Sequence, residues 1–109
     1  MKIGIIGLGL IGGSILKALY NKGFDIYAVT RNLKTIENAQ KYCNEISSDY
    51  EILKECEIVF VCTPMSKVLE TLDKLDTILQ PSAIVSDVSS LKEFVMKKKY
   101  SYNFIGFAK

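Results

Sequence analysis

A cluster of glycines near the start of the chain is the first feature whose spacing points to chemistry. The cluster reads GxGxxG and consists of Gly7, Leu8, Gly9, Leu10, Ile11 and Gly12. Because glycine has no Cβ atom, Gly7 permits a tight turn, Gly9 lets the backbone approach a pyrophosphate, and Gly12 lets a following helix pack closely. The free N–H groups at the start of that helix attract phosphate oxygens. The spacing therefore predicts a dinucleotide-binding loop.

Two other objects can look like this segment, namely a membrane-spanning helix and a secretory signal peptide. The apolar run from Ile3 to Leu16 ends at Lys17 and contains five glycines. It is shorter than the roughly 20 residues that a membrane span needs, and its glycines disfavour an isolated helix. Met1 and Lys2 would suit a signal peptide, but no small-x-small cleavage site follows. We therefore expect no membrane partner.

The composition indicates one globular domain without a strong charge preference. Of the 109 residues, 49% are hydrophobic and 24% are charged, and the formal net charge is +2. This balance gives no reason to expect a nucleic-acid partner. The sequence contains no histidine, which removes the commonest general base and the commonest metal ligand. We expect neither a metal site nor Ser-His-Asp or Cys-His catalysis within this chain.

The cysteines favour a reducing compartment over a disulfide scaffold. Their number is odd, and Cys43, Cys56 and Cys62 show neither CxxC nor zinc spacing. Cys62 ends an apolar run and is predicted to be a small buried hydrophobe. We therefore expect a cytoplasmic location.

The rest of the chain alternates short apolar runs with segments of helical periodicity. Strands are predicted over residues 2–6, 25–30, 45–48, 58–62, 83–88 and 103–107. Helices are predicted after Gly12 with a stop at Gly23, and over residues 33–43, 50–55, 67–79 and 90–98.

Two of these helices have predicted caps and apolar faces. Asn32 would cap the second helix and Ser66 the helix over 67–79. The apolar face of the second helix is predicted to contain Leu33, Ile36, Ala39 and Tyr42. The later helix has an apolar stripe consisting of Val68, Leu69, Leu72, Leu75 and Leu79.

Alternating strands and helices of this length predict an α/β fold of the Rossmann type. We expect one doubly wound parallel sheet over residues 1–109, with strand order 3-2-1-4-5-6. Ligands of such sheets bind at the carboxyl ends of strands 1 and 4, where the order reverses. Beyond the glycine motif, the residues predicted to bind the cofactor are Thr30, Arg31, Asn32, Lys34, Cys62, Thr63, Pro64, Ser86 and Asp87.

The end of the second strand favours NADP over NAD. NAD-binding domains carry an Asp or Glu there to hold the ribose hydroxyls, whereas this chain has Thr30 followed by Arg31. Arginine can grip a 2′-phosphate with two charge-assisted hydrogen bonds, and Lys34 lies one helical turn further on. The alternative is that Arg31 is an ordinary surface residue beside a helix cap.

Three segments together resemble the prephenate and arogenate dehydrogenases of tyrosine biosynthesis. They are GLGLIGGS over residues 7–14, Cys62-Thr63-Pro64, and SDVSSLK over residues 86–92, which is close to the D-V-x-S-x-K signature of that family. The resemblance extends over nearly all of the chain. Members of the arogenate type that use NADP carry a small hydroxyl residue and an arginine after strand 2, similar to Thr30-Arg31.

The resemblance implies an oxidative decarboxylation of prephenate or arogenate. Hydride passes from the substrate ring to the nicotinamide, CO₂ leaves, and the ring becomes aromatic. In the family a histidine of an H-P-x-A-G segment polarises the substrate hydroxyl, and a serine that maps to Ser90 assists. Phe104-Ile105-Gly106 matches the strand before that segment, but the histidine is absent here, as is the helical domain that completes the substrate site and the homodimer.

We therefore expect the cofactor-binding half of a larger enzyme, which binds NADP but turns over little substrate alone. Ser90 lacks a partner base, and its alternative role is a helix N-cap. Asp87 orients the loop or only terminates its strand, and Thr63-Pro64 either lines the nicotinamide or marks a strand end. Two other functions stay open: a stand-alone NAD(P)-binding regulatory module, and the cofactor domain of a 3-hydroxyacid-type dehydrogenase.

Overall fold

Six strands form the frame of the molecule, and all neighbouring strands are parallel. In the computed structural model, which describes residues 1–87 and 103–106, the strands are β1 (Lys2–Ile6), β2 (Asp25–Val29), β3 (Glu45–Ser47), β4 (Ile58–Val61), β5 (Ile84–Asp87) and β6 (Asn103–Gly106). The sheet order is β3-β2-β1-β4-β5-β6, which confirms the predicted order. Each neighbouring pair is parallel.

The register brings the carboxyl ends of all six strands to one edge. Ile6 is paired with Val29 on one side and with Val61 on the other. The same row continues to Ser47 beyond β2, and to Asp87 beyond β4. Loops that leave these strands therefore start side by side, even where they are far apart in the sequence.

Three α-helices cover the sheet in the described part of the chain. They are α1 (Leu10–Leu19), α2 (Leu33–Ala39) and α3 (Val68–Asp76). Short 3₁₀ helices span Gln40–Tyr42, Tyr50–Leu53 and Met65–Lys67. Ile5 packs in one cluster with Leu16 of α1, whereas its neighbour Ile6 packs in another with Leu72 of α3. Successive residues of β1 thus serve opposite faces, as expected of a strand buried on both sides.

Several predicted helices are shorter than expected. The helix predicted over 33–43 ends at Ala39 and continues as a 3₁₀ turn, and the one predicted over 50–55 is a 3₁₀ helix alone. Leu33 is 76% exposed, so this residue of the predicted apolar face is not buried. The helix predicted over 90–98, with Ser90, lies outside the described residues.

One predicted cap is confirmed and the other is wrong. The N–H of Thr35 donates to Oδ1 of Asn32 at 3.0 Å, so Asn32 caps α2. Ser66 does not cap α3, because the chain first makes a 3₁₀ turn in which the N–H of Lys67 donates to the carbonyl of Pro64. Lys67 therefore takes the N-cap position, without a side-chain cap.

Candidate functional site

The loop between β1 and α1 requires glycine at its first position. Gly7 has a φ of +88°, a left-handed conformation that side chains disfavour. A Cβ atom there would lie 2.9 Å from the carbonyl oxygen of Cys62. The N–H of Gly7 donates to the carbonyl of Val29 at 2.8 Å, which ties the loop to the end of β2.

The other two glycines of the motif differ in what surrounds them. A Cβ atom on Gly12 would overlap the carbonyl oxygen of Gly7, so α1 sits directly against the loop. A Cβ atom on Gly9 would meet no atom within 4 Å. Gly9 is also the N-cap of α1, which has neither a side-chain cap nor an acidic residue in its first turn. The start of α1 therefore offers uncapped N–H groups beside open space, which suits an anion.

A crevice of about 560 Å³ opens in front of this loop. The glycine loop lines one side, Thr30 and Asn32 contribute from the end of β2, and Cys62, Thr63 and Pro64 contribute from the end of β4. Leu10 and Ile11 stand at its mouth and are 90% and 53% exposed. The structure thus brings together three segments that were predicted from the sequence to bind the cofactor.

A second cavity of about 250 Å³ lies between the end of β2 and the start of α3, and we call it the β2–α3 cavity. Gly7, Thr30, Thr63 and Pro64 border both this cavity and the crevice, so the two are neighbours. The remaining lining residues of the β2–α3 cavity are Ile6, Val29, Arg31, Tyr50, Lys67, Glu70 and Thr71. The lining therefore combines apolar side chains with hydroxyl groups, two cations and the carboxylate of Glu70.

One buried polar atom at the junction of the two cavities lacks a partner. The Oγ1 atom of Thr63 is buried and makes no hydrogen bond in the described residues. A buried unsatisfied hydroxyl usually costs about 1–3 kcal/mol, so such an atom points to a missing polar ligand. The hydroxyl of Thr30, by contrast, accepts from the N–H of Asn32 at 3.4 Å.

Of the two basic residues predicted to bind the cofactor, one lines a cavity and the other does not. Arg31 lines the β2–α3 cavity and, among the described side chains, has no carboxylate within 4.0 Å. Lys34 is exposed on α2 and lines neither the crevice nor the β2–α3 cavity. The sequence analysis missed Tyr50, Lys67 and Thr71. No local pattern marks these residues, because the sequence predicted the cap of α3 at Ser66 and Lys67 takes that position only in the structure.

The residues at the ends of β4 and β5 differ from the expectation in burial. Cys62 is half-buried instead of fully buried, because its strand end opens into the crevice, whereas Cys56 is the fully buried thiol. Burial, and to a smaller degree Asp87, raises the pKa of Cys62 to about 12, so the thiol carries no charge at neutral pH. Ser86 and Asp87 are buried in β5 and line neither cavity.

Residues 1–87 and 103–106 contain neither a candidate membrane span nor a candidate metal site. No helix there is long and apolar enough to cross a membrane. No three side chains among His, Cys, Asp and Glu come together there in a way that could hold a metal ion.

Comparison with known proteins places this geometry in a family. Residues 2–90 match the family model described as NADP oxidoreductase coenzyme F420-dependent. The chain belongs to this family. The chain is also 30% identical over 100 residues to the prephenate dehydrogenase of Lactococcus lactis subsp. cremoris (strain MG1363), covering 88% of this chain and 28% of that protein. The chain thus spans under a third of the length of its curated relative.

Solved structures of family relatives have the same fold. The arogenate dehydrogenase of Synechocystis is 42% identical, with a TM-score of 0.78 over 83% of this chain and 33% of that one. The A. aeolicus prephenate dehydrogenase, solved with hydroxyphenyl propionate and NAD+, is 26% identical, with a TM-score of 0.78 over 97% and 40%. The resemblance read from the motifs is confirmed, and the chain is an NAD(P)-binding domain related to these dehydrogenases.

More distant structures share the fold alone. The (S)-3-hydroxybutyryl-CoA dehydrogenase of Ralstonia eutropha is 18% identical, with a TM-score of 0.78 over 98% of this chain and 48% of that one. Such a likeness supports the Rossmann-type sheet but favours no particular substrate.

Proposed function

We propose that this chain is the NADP-binding domain of an enzyme that oxidatively decarboxylates prephenate or arogenate. The observation that carries the proposal is the open space at Gly9 together with the uncapped N-terminus of α1. Both border the crevice, which adjoins the cavity lined by Thr30 and Arg31. The residues present fit a dinucleotide, because Gly9 leaves room for a ligand and the hydroxyl of Thr63 lacks a partner. A curated relative and two solved structures that this chain resembles are prephenate or arogenate dehydrogenases.

Each part of the proposed site has a distinct task. The N–H groups at the start of α1 hold the pyrophosphate, and Gly7 and Gly12 keep that helix close to the loop. Arg31 holds the 2′-phosphate, with the hydroxyl of Thr30 beside it. Thr63 and Pro64 border the part of the crevice nearest β4 and orient the nicotinamide. A nicotinamide ring bound there would accept the hydride from the substrate.

The described residues that line the crevice supply binding and orientation but no general base. Cys62 stays protonated because its pKa is about 12, and the sequence contains no histidine. A serine such as Ser90 is not ionised at neutral pH without a partner base. We therefore infer that the chain alone turns over little or no substrate, and that Ser90 assists a base from elsewhere in the enzyme.

The apolar side chains exposed at the mouth of the crevice support the proposal that a further domain covers it. Leu10 and Ile11 present apolar side chains there, and exposed apolar patches usually mark a contact surface. The much greater length of the curated relative is consistent with such a domain. We propose that residues beyond the nucleotide-binding domain cover this mouth, complete the substrate site and form the homodimer.

Titration calorimetry with NADP+ and NAD+ tests the cofactor assignment. Hydrogen bonds to charged groups contribute about 1.5–3 kcal/mol each, so Arg31→Ala should weaken NADP+ binding roughly tenfold to 150-fold and leave NAD+ binding nearly unchanged. The control is Arg31→Lys, which keeps the positive charge but cannot form the two parallel hydrogen bonds of a guanidinium group. Equal affinities of the wild type for both dinucleotides would contradict the preference for NADP.

A turnover assay tests the reaction. NADPH formation is followed with prephenate and with arogenate, for the chain alone and for the protein that includes its second domain. We expect turnover of one substrate by the longer protein and none by the chain alone. Inactivity of the longer protein with both substrates would overturn the assigned reaction. Turnover by the chain alone would overturn the proposal that this domain needs further residues for catalysis.

A further inference from the structure

Two cations line the β2–α3 cavity. Arg31 extends from the loop after β2, and Lys67 stands at the start of α3. Within residues 1–87 neither has a carboxylate partner within 4.0 Å. The carboxylate of Glu70 on the same wall lies 3.8 Å from Nζ of Lys74, which offsets its charge. The cavity therefore presents two unpaired positive charges to whatever enters it.

Lys67 also occupies a position where local interactions disfavour lysine. It is the N-cap of α3, where Ser, Thr, Asn or Asp would accept hydrogen bonds from the first turn. A cation at this end opposes the helix dipole, which favours negative charge there. Side chains that break a local rule are expected at functional sites, and an anion in the cavity would remove the conflict.

Lys34, the lysine that the sequence placed near Arg31, does not share this geometry. Like Arg31 and Lys67 it is exposed, but it lies on α2 and lines neither the crevice nor the β2–α3 cavity. The second cation of the cavity thus comes from a segment distant in sequence, which the parallel register of β1 with β2 and β4 brings to the same edge.

We propose that Lys67 is a specificity-determining residue that binds the 2′-phosphate of NADP together with Arg31, and this inference rests on the NADP-binding function proposed above. A phosphate monoester carries a charge of about −1.5 to −2 at neutral pH and has three acceptor oxygens. The guanidinium of Arg31 grips two oxygens as a fork, which leaves the third for the ammonium of Lys67. NAD has no group at this point, so Lys67 adds to the affinity for NADP alone.

The test measures affinities of wild type, Lys67→Gln and Lys34→Gln for NADP+ and NAD+ by titration calorimetry. Lys67→Gln should weaken NADP+ binding about tenfold or more and change NAD+ binding by less than about twofold. Lys34→Gln is the matched control and should change neither. Thermal unfolding without ligand checks that both variants fold, and 2′,5′-ADP and 5′-AMP repeat the comparison without the nicotinamide half.

The outcomes separate this inference from the function on which it rests. If the wild type prefers NADP+ but Lys67→Gln leaves that affinity unchanged, or weakens both dinucleotides equally, Lys67 is not a 2′-phosphate ligand, although the NADP assignment stands. If the wild type shows no preference or binds neither dinucleotide, both proposals fail. A loss of NADP+ affinity in Lys34→Gln instead would transfer the role to that residue.

Discussion

The glycines at and just after the N-cap of α1 allow folding and binding to be perturbed separately. In Gly12→Ala the new Cβ atom would overlap the carbonyl oxygen of Gly7, which belongs to a loop held by a 2.8 Å hydrogen bond to Val29. Because the obstacle is main chain, α1 has to move. Overpacking of this kind costs about 1–3 kcal/mol, which lowers the melting temperature of a domain of this size by roughly 4–20 °C.

Gly9→Ala should act on binding instead. Its Cβ atom would meet no protein atom within 4 Å, and its φ of −72° suits alanine. We expect the free energy of unfolding to change by less than about 1 kcal/mol, since the N-cap preference is the term that differs. The methyl group enters the space next to the first turn of α1. Loss of one charge-assisted hydrogen bond there weakens NADP+ binding about tenfold or more.

Gly13→Ala is the matched control within the same helix. Its Cβ atom would lie 3.8 Å from the carbonyl oxygen of Leu8, an ordinary contact. Alanine is the better helix former, so this variant should gain about 0.5–1 kcal/mol of stability and keep its affinity. Circular dichroism gives the melting temperatures and calorimetry the affinities. The reasoning fails if Gly9→Ala melts as early as Gly12→Ala, or if it binds NADP+ as tightly as the wild type.

Three further predictions concern stability. Asn32→Ala should lower the free energy of unfolding by about 1 kcal/mol through loss of the α2 cap, whereas Ser66→Ala should change it by less than about 0.5 kcal/mol in urea titrations. Leu72→Ala should cost about 2–5 kcal/mol because the side chain is fully buried, and Leu33→Ala, at an exposed position, should cost little in the same assay. Burial raises the pKa of Cys56 to about 12 from an ordinary value of 9.0. Because the unfolded chain loses this proton first, stability falls as the pH rises from about 9 toward 12, and a wild-type fall no steeper than that of Cys56→Ala would contradict the assignment.

Much of the fold followed from local pattern. Continuous apolar runs such as Ile58–Val61 marked strands buried on both faces, and the regular alternation with helices left one common strand order. Asn32 was identifiable as a cap because its hydrogen bond is to a residue three positions away. Interactions within a few residues are encoded locally, and sequence patterns predict them.

The errors arose where the outcome depends on packing between distant segments. Leu33 fits the helical periodicity, yet it is 76% exposed. Ser66 suits an N-cap, but the turn held by Pro64 moves the start of α3 to Lys67. Both errors come from backbone paths that tertiary packing fixes and side-chain spacing does not record.

By itself, the sequence determined that the chain has a parallel α/β sheet with a glycine-rich turn between β1 and α1, because Gly7, Gly9 and Gly12 lie within a single strand–turn–helix unit. Only the tertiary structure decided which side chains stand beside Arg31. The parallel register aligns the carboxyl ends of β2 and β4 with that of β1, and this alignment brings Thr63 and Lys67 to the cavity while Lys34 is left outside it. Neighbours across a sheet are set by strand order and register, and no short stretch of sequence contains them.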